Sequence, residues 1–240
     1  MPNKVFHIFS SKFFYILLFS AITFSACKKD DTPATPTSGL MAFNLIPDST
    51  GPVIFVLDNS TLANTAFSFT NYTGSYLPVY SGTRTLKLYE ASNPSTVLAT
   101  TATDYEATKY YSAFAIGADG NYQNLVTNDE LDSLPSSTGN AFVRYINAIP
   151  DSSHPVVTIS ANGTEQVKEN APFGKVSDFT QIAPGDISLD VSNDSTISAN
   201  RTIPVQQNGV YTVLIMGMPG AADTSKAVQI KYIVNGTITP

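Results

Sequence analysis

The chain has 240 residues, of which 42 % are hydrophobic and only 13 % charged, and its formal net charge is −6. That balance excludes a nucleic-acid binder, which needs a basic stripe to neutralise phosphates. One cysteine in the whole sequence excludes an intrachain disulfide, so folded domains here are held by their cores alone.

The N-terminal segment differs in kind from the rest. Lys4 and Lys12 are the charged residues before Cys27, and an apolar block runs from Phe13 to Phe19 and on through Ala21, Ile22 and Phe24. A basic start, a short apolar core and small residues before a cleavage point predict a secretory signal over 1–26. The core is short for a membrane-spanning helix, which needs about 20 apolar residues. Phe24-Ser25-Ala26-Cys27 resembles the lipobox of bacterial lipoproteins, with Phe24 where Leu is usual. The resemblance implies diacylglyceryl modification of the Cys27 thiol and cleavage before it. Loss of 1–26 removes two lysines and no acids, which moves the net charge from −6 to −8. Lys28-Lys29-Asp30-Asp31 resembles the export signal of surface-exposed lipoproteins of the Bacteroidetes group. That implies an outer-membrane lipoprotein facing the cell exterior. Residues 27–38, rich in Thr and Pro, read as a semi-extended tether.

Beyond the tether the chain repeats itself. Asn44-Leu45-Ile46-Pro47-Asp48-Ser49 returns as Asn147-Ala148-Ile149-Pro150-Asp151-Ser152, and over 44–59 against 147–162 eight of sixteen residues are identical at an offset of 103. Residues 81–88 align with 184–191 at the same offset, and 111–117 with 211–217 at an offset of 100. Three blocks in the same order mark a tandem duplication. Its period suits one β-sandwich of about 100 residues better than a solenoid unit. The expected organisation is a first sandwich over 39–122, a linker or end of that repeat over 123–139, and a second sandwich over 140–240. In the second copy the expected strands are 141–148, 156–161, 176–182, 187–191, 197–203, 210–216 and 227–234. Ile187-Ser188-Leu189-Asp190-Val191 alternates as a half-buried strand should. Tyr211 to Met216 is nearly all apolar, as for a strand covered on both faces. The expected class is all-β, two tandem immunoglobulin-like antiparallel sandwiches.

The run from Arg144 to Asp151 resembles the opening of the family called domain of unknown function 4397, and both copies carry Asn-x-Ile-Pro-Asp-Ser. The first copy has Met41 where the second has Arg144. The resemblance covers about residues 40–239 and implies a sandwich module without assigned catalysis.

A search for chemistry finds little. Outside the signal segment His154 is the one histidine, in a loop where the first copy has Gly51. A Ser-His-Asp triad would have to use it, and a loop histidine reads as solvated; one imidazole and no thiol leave a zinc site short of the three ligands it wants. Asp129, Glu130 and Asp132 could supply a carboxylate pair, but a polar linker explains them as turn and solubility residues. Asp190 to Asp194 is an oxygen-rich loop suggestive of calcium, with no EF-hand pattern. No other cofactor is expected. Ser49, Ser133 and Ser195 each follow an aspartate and resemble O-glycosylation signals of Bacteroidetes proteins.

Candidate ligand residues are Tyr72, Tyr76, Tyr80, Tyr110 and Tyr111, from a tyrosine-rich first copy, with Asp48 and Asp151 at equivalent positions. Tyrosine suits glycan or protein contacts. Each Asp also reads as a turn residue whose carboxylate accepts backbone N–H bonds. The sequence therefore predicts a membrane-anchored, non-catalytic binding or adhesion module with a glycan or an envelope or host protein as partner. The alternatives are an accessory lipoprotein of an envelope complex and a carboxylate-dependent hydrolase.

Overall fold

The computed structural model describes residues 35–48, 51–136, 139–193 and 195–239. The expected signal peptide and the lipidation site Cys27 lie outside the described residues, as do Ser49 and Asp194.

Residues 36–240 form one compact unit. Its first half contains β1 (Thr37–Asn44), β2 (Val53–Leu57), β3 (Ser60–Thr61), β4 (Leu77–Tyr80), β5 (Gly82–Glu90), β6 (Val97–Tyr105), β7 (Tyr110–Ala118) and β8 (Asn121–Asn128). The second half contains β9 (Ala141–Asn147), β10 (Val156–Ala161), β11 (Thr164–Asn170), β12 (Thr180–Ile182), β13 (Gly185–Ser192), β14 (Ser198–Val205), β15 (Gly209–Met216) and β16 (Gln229–Thr237). In the first half the sheets run β4-β1-β7-β8 and β3-β2-β5-β6. In the second they run β12-β9-β15-β16 and β11-β10-β13-β14. The second set repeats the first strand for strand, so the chain is two tandem β-sandwiches. A constant-type immunoglobulin domain has seven strands ordered ABED and CFG. Each sandwich here has eight, and its first strand lies parallel to its seventh, β1 on β7 and β9 on β15.

Alternation decides which strands lie where. In β13, Ile187, Leu189 and Val191 point into the sandwich while Ser188 and Asp190 face solvent. The four strands β1, β7, β9 and β15 are buried along almost their whole length. Their two faces serve different cores. Leu40, Ala42, Tyr111 and Ala113 pack inside the first sandwich, and Val143, Tyr145, Val213 and Ile215 inside the second. Met41, Phe43, Phe114 and Ile116 meet Ile146, Leu214 and Met216 in a third core between the copies. The same sheet face of each copy makes this seam.

Two differences from the sequence reading concern polar segments. β11 has no expected counterpart, because Thr164–Asn170 is exposed on both faces except at Val167. Asp129 was expected as a solvated linker acid and is instead 1 % exposed. Its backbone N–H donates to the Tyr110 carbonyl, which continues the β7–β8 pairing and turns the carboxylate into the seam.

Candidate functional site

The repeated motif builds a buried bracket before it builds anything exposed. Asn44 and Asn147 are both fully buried. Asn44 donates to the Phe67 carbonyl at 2.8 Å and accepts from Ile46 N at 3.0 Å; Asn147 donates to the Ala171 carbonyl at 2.7 Å and accepts from Ile149 N at 3.1 Å. The motif asparagine therefore ties the end of the first strand to a crossing loop and starts the Pro-Asp turn.

At the centre of the seam lies a polar network drawn from both copies. Arg144 Nη2 donates to Asp129 Oδ1 at 2.6 Å and to Ser112 Oγ at 3.0 Å, and Nε donates to Thr212 Oγ1 at 3.0 Å. Ser112 and Tyr76 both donate to Asp129 Oδ2, at 2.8 and 2.5 Å. Asn235 closes the circuit by donating to Tyr76 and accepting from Thr212. The guanidinium lies over the Phe179 ring at 4.7 Å. Burial, together with the charge of Asp129, holds the Tyr76 phenol well above its ordinary ionisation range. Every charge in this network is matched, so it locks the two copies in register rather than offering a reactive group.

Among the described residues, two clefts at the seam hold the Pro-Asp loops, apart from a smaller one of 240 Å³ beside Asp129 and Arg144. The first, of 540 Å³, is lined by Ile46, Asp48, Gly51, Pro52 and Ser68–Thr70 of the first copy and by Thr224–Lys226, Gln229 and Lys231 of the second. The second, of 590 Å³, has Pro150–Ser152, His154, Pro172 and Phe173 of the second copy facing Gly117–Asp119 and Asn121 of the first. These are quasi-equivalent: each pairs a Pro-Asp loop and a phenylalanine of one copy with the last hairpin of the other. In the first cleft Lys231 Nζ donates to Thr70 Oγ1 at 2.9 Å, and Lys226 Nζ donates to the Asp48 carbonyl. Asp48 Oδ2 accepts from Asp119 N at 2.9 Å and from Tyr122 OH at 2.5 Å. In the second cleft Asp151 Oδ1 accepts from Ser153 N at 2.6 Å, a local turn bond.

The backbone is strained at the same places. Thr70 has φ 75°, and its counterpart Gly174 has φ 79°. Both amides donate to the carbonyl of the motif asparagine at 2.8 Å. Gly51 has φ 83° and His154 has φ 51°. A β-branched residue in this region is an outlier, and Thr70 sits inside the cleft.

The five expected tyrosines are not one cluster. Tyr76 and Tyr110 meet edge to face at 4.9 Å beside the seam, and Tyr72 stacks on Phe43 at 5.3 Å. Tyr80 stands apart, 60 % exposed, with Arg84 over its ring. Tyr111 is buried in the first sandwich against Tyr105. Asp48 and Asp151 lie in different clefts. Glu130 occupies the left-handed turn before Leu131–Ser133, and Asp132 pairs with Lys109. Ser133 Oγ donates to the Glu130 carbonyl. Asn193 caps the amides of Ser195, Thr196 and Ile197, and Asp190 accepts from Ser192. Among the described residues no three His, Cys, Asp or Glu side chains gather as a metal site.

Sequence reasoning missed Lys226, Lys231 and Thr70. The usable signal was a misfit between the copies. Lys231 pairs with Leu214, as Leu125 pairs with Phe114, so a lysine stands where the first copy puts an apolar seam residue.

The model of the family described as domain of unknown function (DUF4397) matches residues 38–154 and 141–231. No curated protein matches the chain. Among solved structures, a candidate cell adhesion protein from Bacteroides eggerthii aligns at 7 % identity and a TM-score of 0.25, covering 85 % of this chain and 97 % of that one. A candidate cell adhesion protein from Parabacteroides distasonis aligns at 9 % identity and a TM-score of 0.21, covering 84 % of this chain and all of that one. At these scores neither likeness carries an argument.

Proposed function

Because the chain belongs to the domain of unknown function 4397 family, to which no activity is assigned, we propose that it is a lipid-tethered surface module that binds its ligand without transforming it. The observation that carries this reading is the 540 Å³ cleft made jointly by the two copies, with Lys226 and Lys231 held in place across the seam. Its volume falls in the range of small-ligand sites, about 300 to 1,000 Å³. A site shared by two sandwiches is kept open by the packing between them. The anchor is supported by the basic and apolar run ending at Cys27, the only cysteine. One acyl chain holds a protein only marginally and two hold it stably, so the tether needs the full lipoprotein modification. The spacer, expected over 27–38 but ending before β1 takes up Thr37 and Ser38, then lets the sandwiches stand off the outer membrane, where adhesion or ligand capture takes place.

The experiment is metabolic palmitate labelling with protease shaving of intact cells, followed by an adherence assay. The reading expects label on the wild type, none on Cys27→Ser, cleavage from outside the cell, and adherence that falls when residues 40–240 are deleted. Label that survives Cys27→Ser, or a protein that partitions into the cytosol, contradicts it.

A further inference from the structure

The first cleft differs from its quasi-equivalent partner in charge, and that asymmetry points to a ligand. Lys226 and Lys231 line the first, whereas no lysine or arginine lines the second, which has Asp119 and Asp151. We infer that the first cleft binds an acidic saccharide, with the two ammonium groups on its carboxylate or sulfate and the surrounding hydroxyl and amide oxygens accepting from its own hydroxyls. This rests on the binding reading above and names its ligand class.

Four features support the assignment. First, among the described residues neither lysine forms an ion pair; the four pairs present are Arg84–Asp58, Lys109–Asp132, Arg144–Asp129 and Lys168–Glu165. Each ammonium has three N–H donors. Lys231 spends one on Thr70, and Lys226 one on the Asp48 carbonyl. Second, both bonds run from the second copy to the first, so each charge is positioned before a ligand arrives, which lowers the ordering cost of binding. Third, Asp48 is the only acid among the described residues lining the cleft, and its Oδ2 faces Asp119 N and Tyr122 OH. Two cations thus face one carboxylate of the lining, with Asp223 acting on Lys226 from outside it, in a concavity that includes Ile46, Pro52 and Phe69 on a chain whose net charge is −6. Fourth, Ser68, Thr70, Thr224, Ser225 and Gln229 line the same cleft. Ser225 Oγ donates to Asp223 and Gln229 Nε2 donates to the Ser225 and Ala227 carbonyls, which leaves their oxygens to accept from the hydroxyls of a polyhydroxylated ligand, a use a simple anion does not have.

Thr70 is the hinge of this arrangement. Its left-handed backbone, tolerated where the second copy uses Gly174, aims a hydroxyl at Lys231 that glycine could not supply. The strain is retained at the one copy of the loop that faces a lysine.

The test is titration calorimetry of the detergent-solubilised full chain with four probes. These are a chondroitin disaccharide bearing only the uronate, its sulfated form, neutral lactose and a pentaglutamate peptide. The inference expects at least one acidic disaccharide to bind, with lactose and the peptide weaker by about ten-fold or more. The ratio between the two chondroitin forms tells carboxylate from sulfate. The Lys226→Gln/Lys231→Gln protein should lose about ten-fold or more in affinity with unchanged Tm, Lys231→Arg should retain most of it, and Asp151→Asn in the other cleft should change nothing. Lactose binding as tightly, pentaglutamate binding as tightly, indifference to the double lysine substitution, or no heat with either acidic disaccharide overturns it. In any of those cases intact adherence and palmitate labelling would leave the tethered-module reading standing, so the two failures are separable.

Discussion

Arg144 of the second copy and Asp129 of the first meet at 2.6 Å with side chains only 3 % and 0 % exposed, and this pair is the polar centre of the seam. Removing one partner leaves the other charge buried and unpaired. Asp129→Ala or Arg144→Met should each cost about 3 to 5 kcal/mol, while the double substitution should cost much less than the sum. Methionine is the residue the first copy already has at the equivalent position, Met41, so it fits the seam sterically. Urea unfolding of the four proteins at one pH measures the coupling, and additive costs would show that the pair does not act as a unit.

The motif asparagines make a matched pair of predictions. Asn44→Ala and Asn147→Ala each strip a buried amide, the Ile46 or Ile149 N–H, of its acceptor and take one donor from the Phe67 or Ala171 carbonyl. Each should lower stability by about 2 to 3 kcal/mol. Thermal or chemical unfolding should give similar losses in the two copies. A neutral substitution at either site would mean that the bracket is not structural.

Backbone strain predicts gains. Thr70→Gly should stabilise by about 1 kcal/mol, and His154→Gly by less, since histidine is tolerated at positive φ. The reverse changes, Gly51→Ala and Gly174→Ala, should destabilise by a similar amount. Thr70→Gly should also weaken acidic-saccharide binding, because it removes the hydroxyl that holds Lys231. A gain in stability with a loss of affinity would locate the strain at the binding site; loss of both would contradict it.

Alkaline pH should loosen the fold. Burial pushes the Tyr105 phenol up to about 12. Burial raises Tyr145 and Tyr76 further, helped by Glu169 beside the first and Asp129 beside the second. An unfolded tyrosine ionises near about 10. Below that pH both states keep these protons and stability is unaffected. Above it the unfolded chain releases protons that the folded chain retains, so stability falls as pH rises. Urea midpoints should be flat from about pH 8 and decline beyond about 10. Absorbance at the phenolate band should show that these three rings ionise only on unfolding. Free titration of all the tyrosines near 10 in the folded protein would contradict the prediction.

Much of the fold was legible because hydrophobic alternation is a local signal. β10 has the expected bounds, Val156–Ala161, and β13 and β15 extend the expected strands by a residue or two. β11 was illegible because an edge strand solvated on both faces has no apolar period to read. The duplication predicted two sandwiches but not how they meet. Met41, Phe43, Ile146 and Leu214 look like ordinary core residues, and only the structure assigns them to a core between copies. Asp129 read as a linker acid because its partner, Arg144, lies across a turn on the next sandwich. The cleft lysines were visible only as a misfit between aligned copies. The tyrosines, prominent in composition, are mostly committed to packing or to the seam network.

The packing of the third core makes the two sandwiches one cooperative body, with the shared cleft a product of their junction. Scanning calorimetry of the full chain tests this most directly. The account predicts a single transition whose calorimetric and van't Hoff enthalpies agree, splitting into two when Asp129→Ala opens the seam. Two separate transitions in the wild type, indifferent to Asp129, would contradict it.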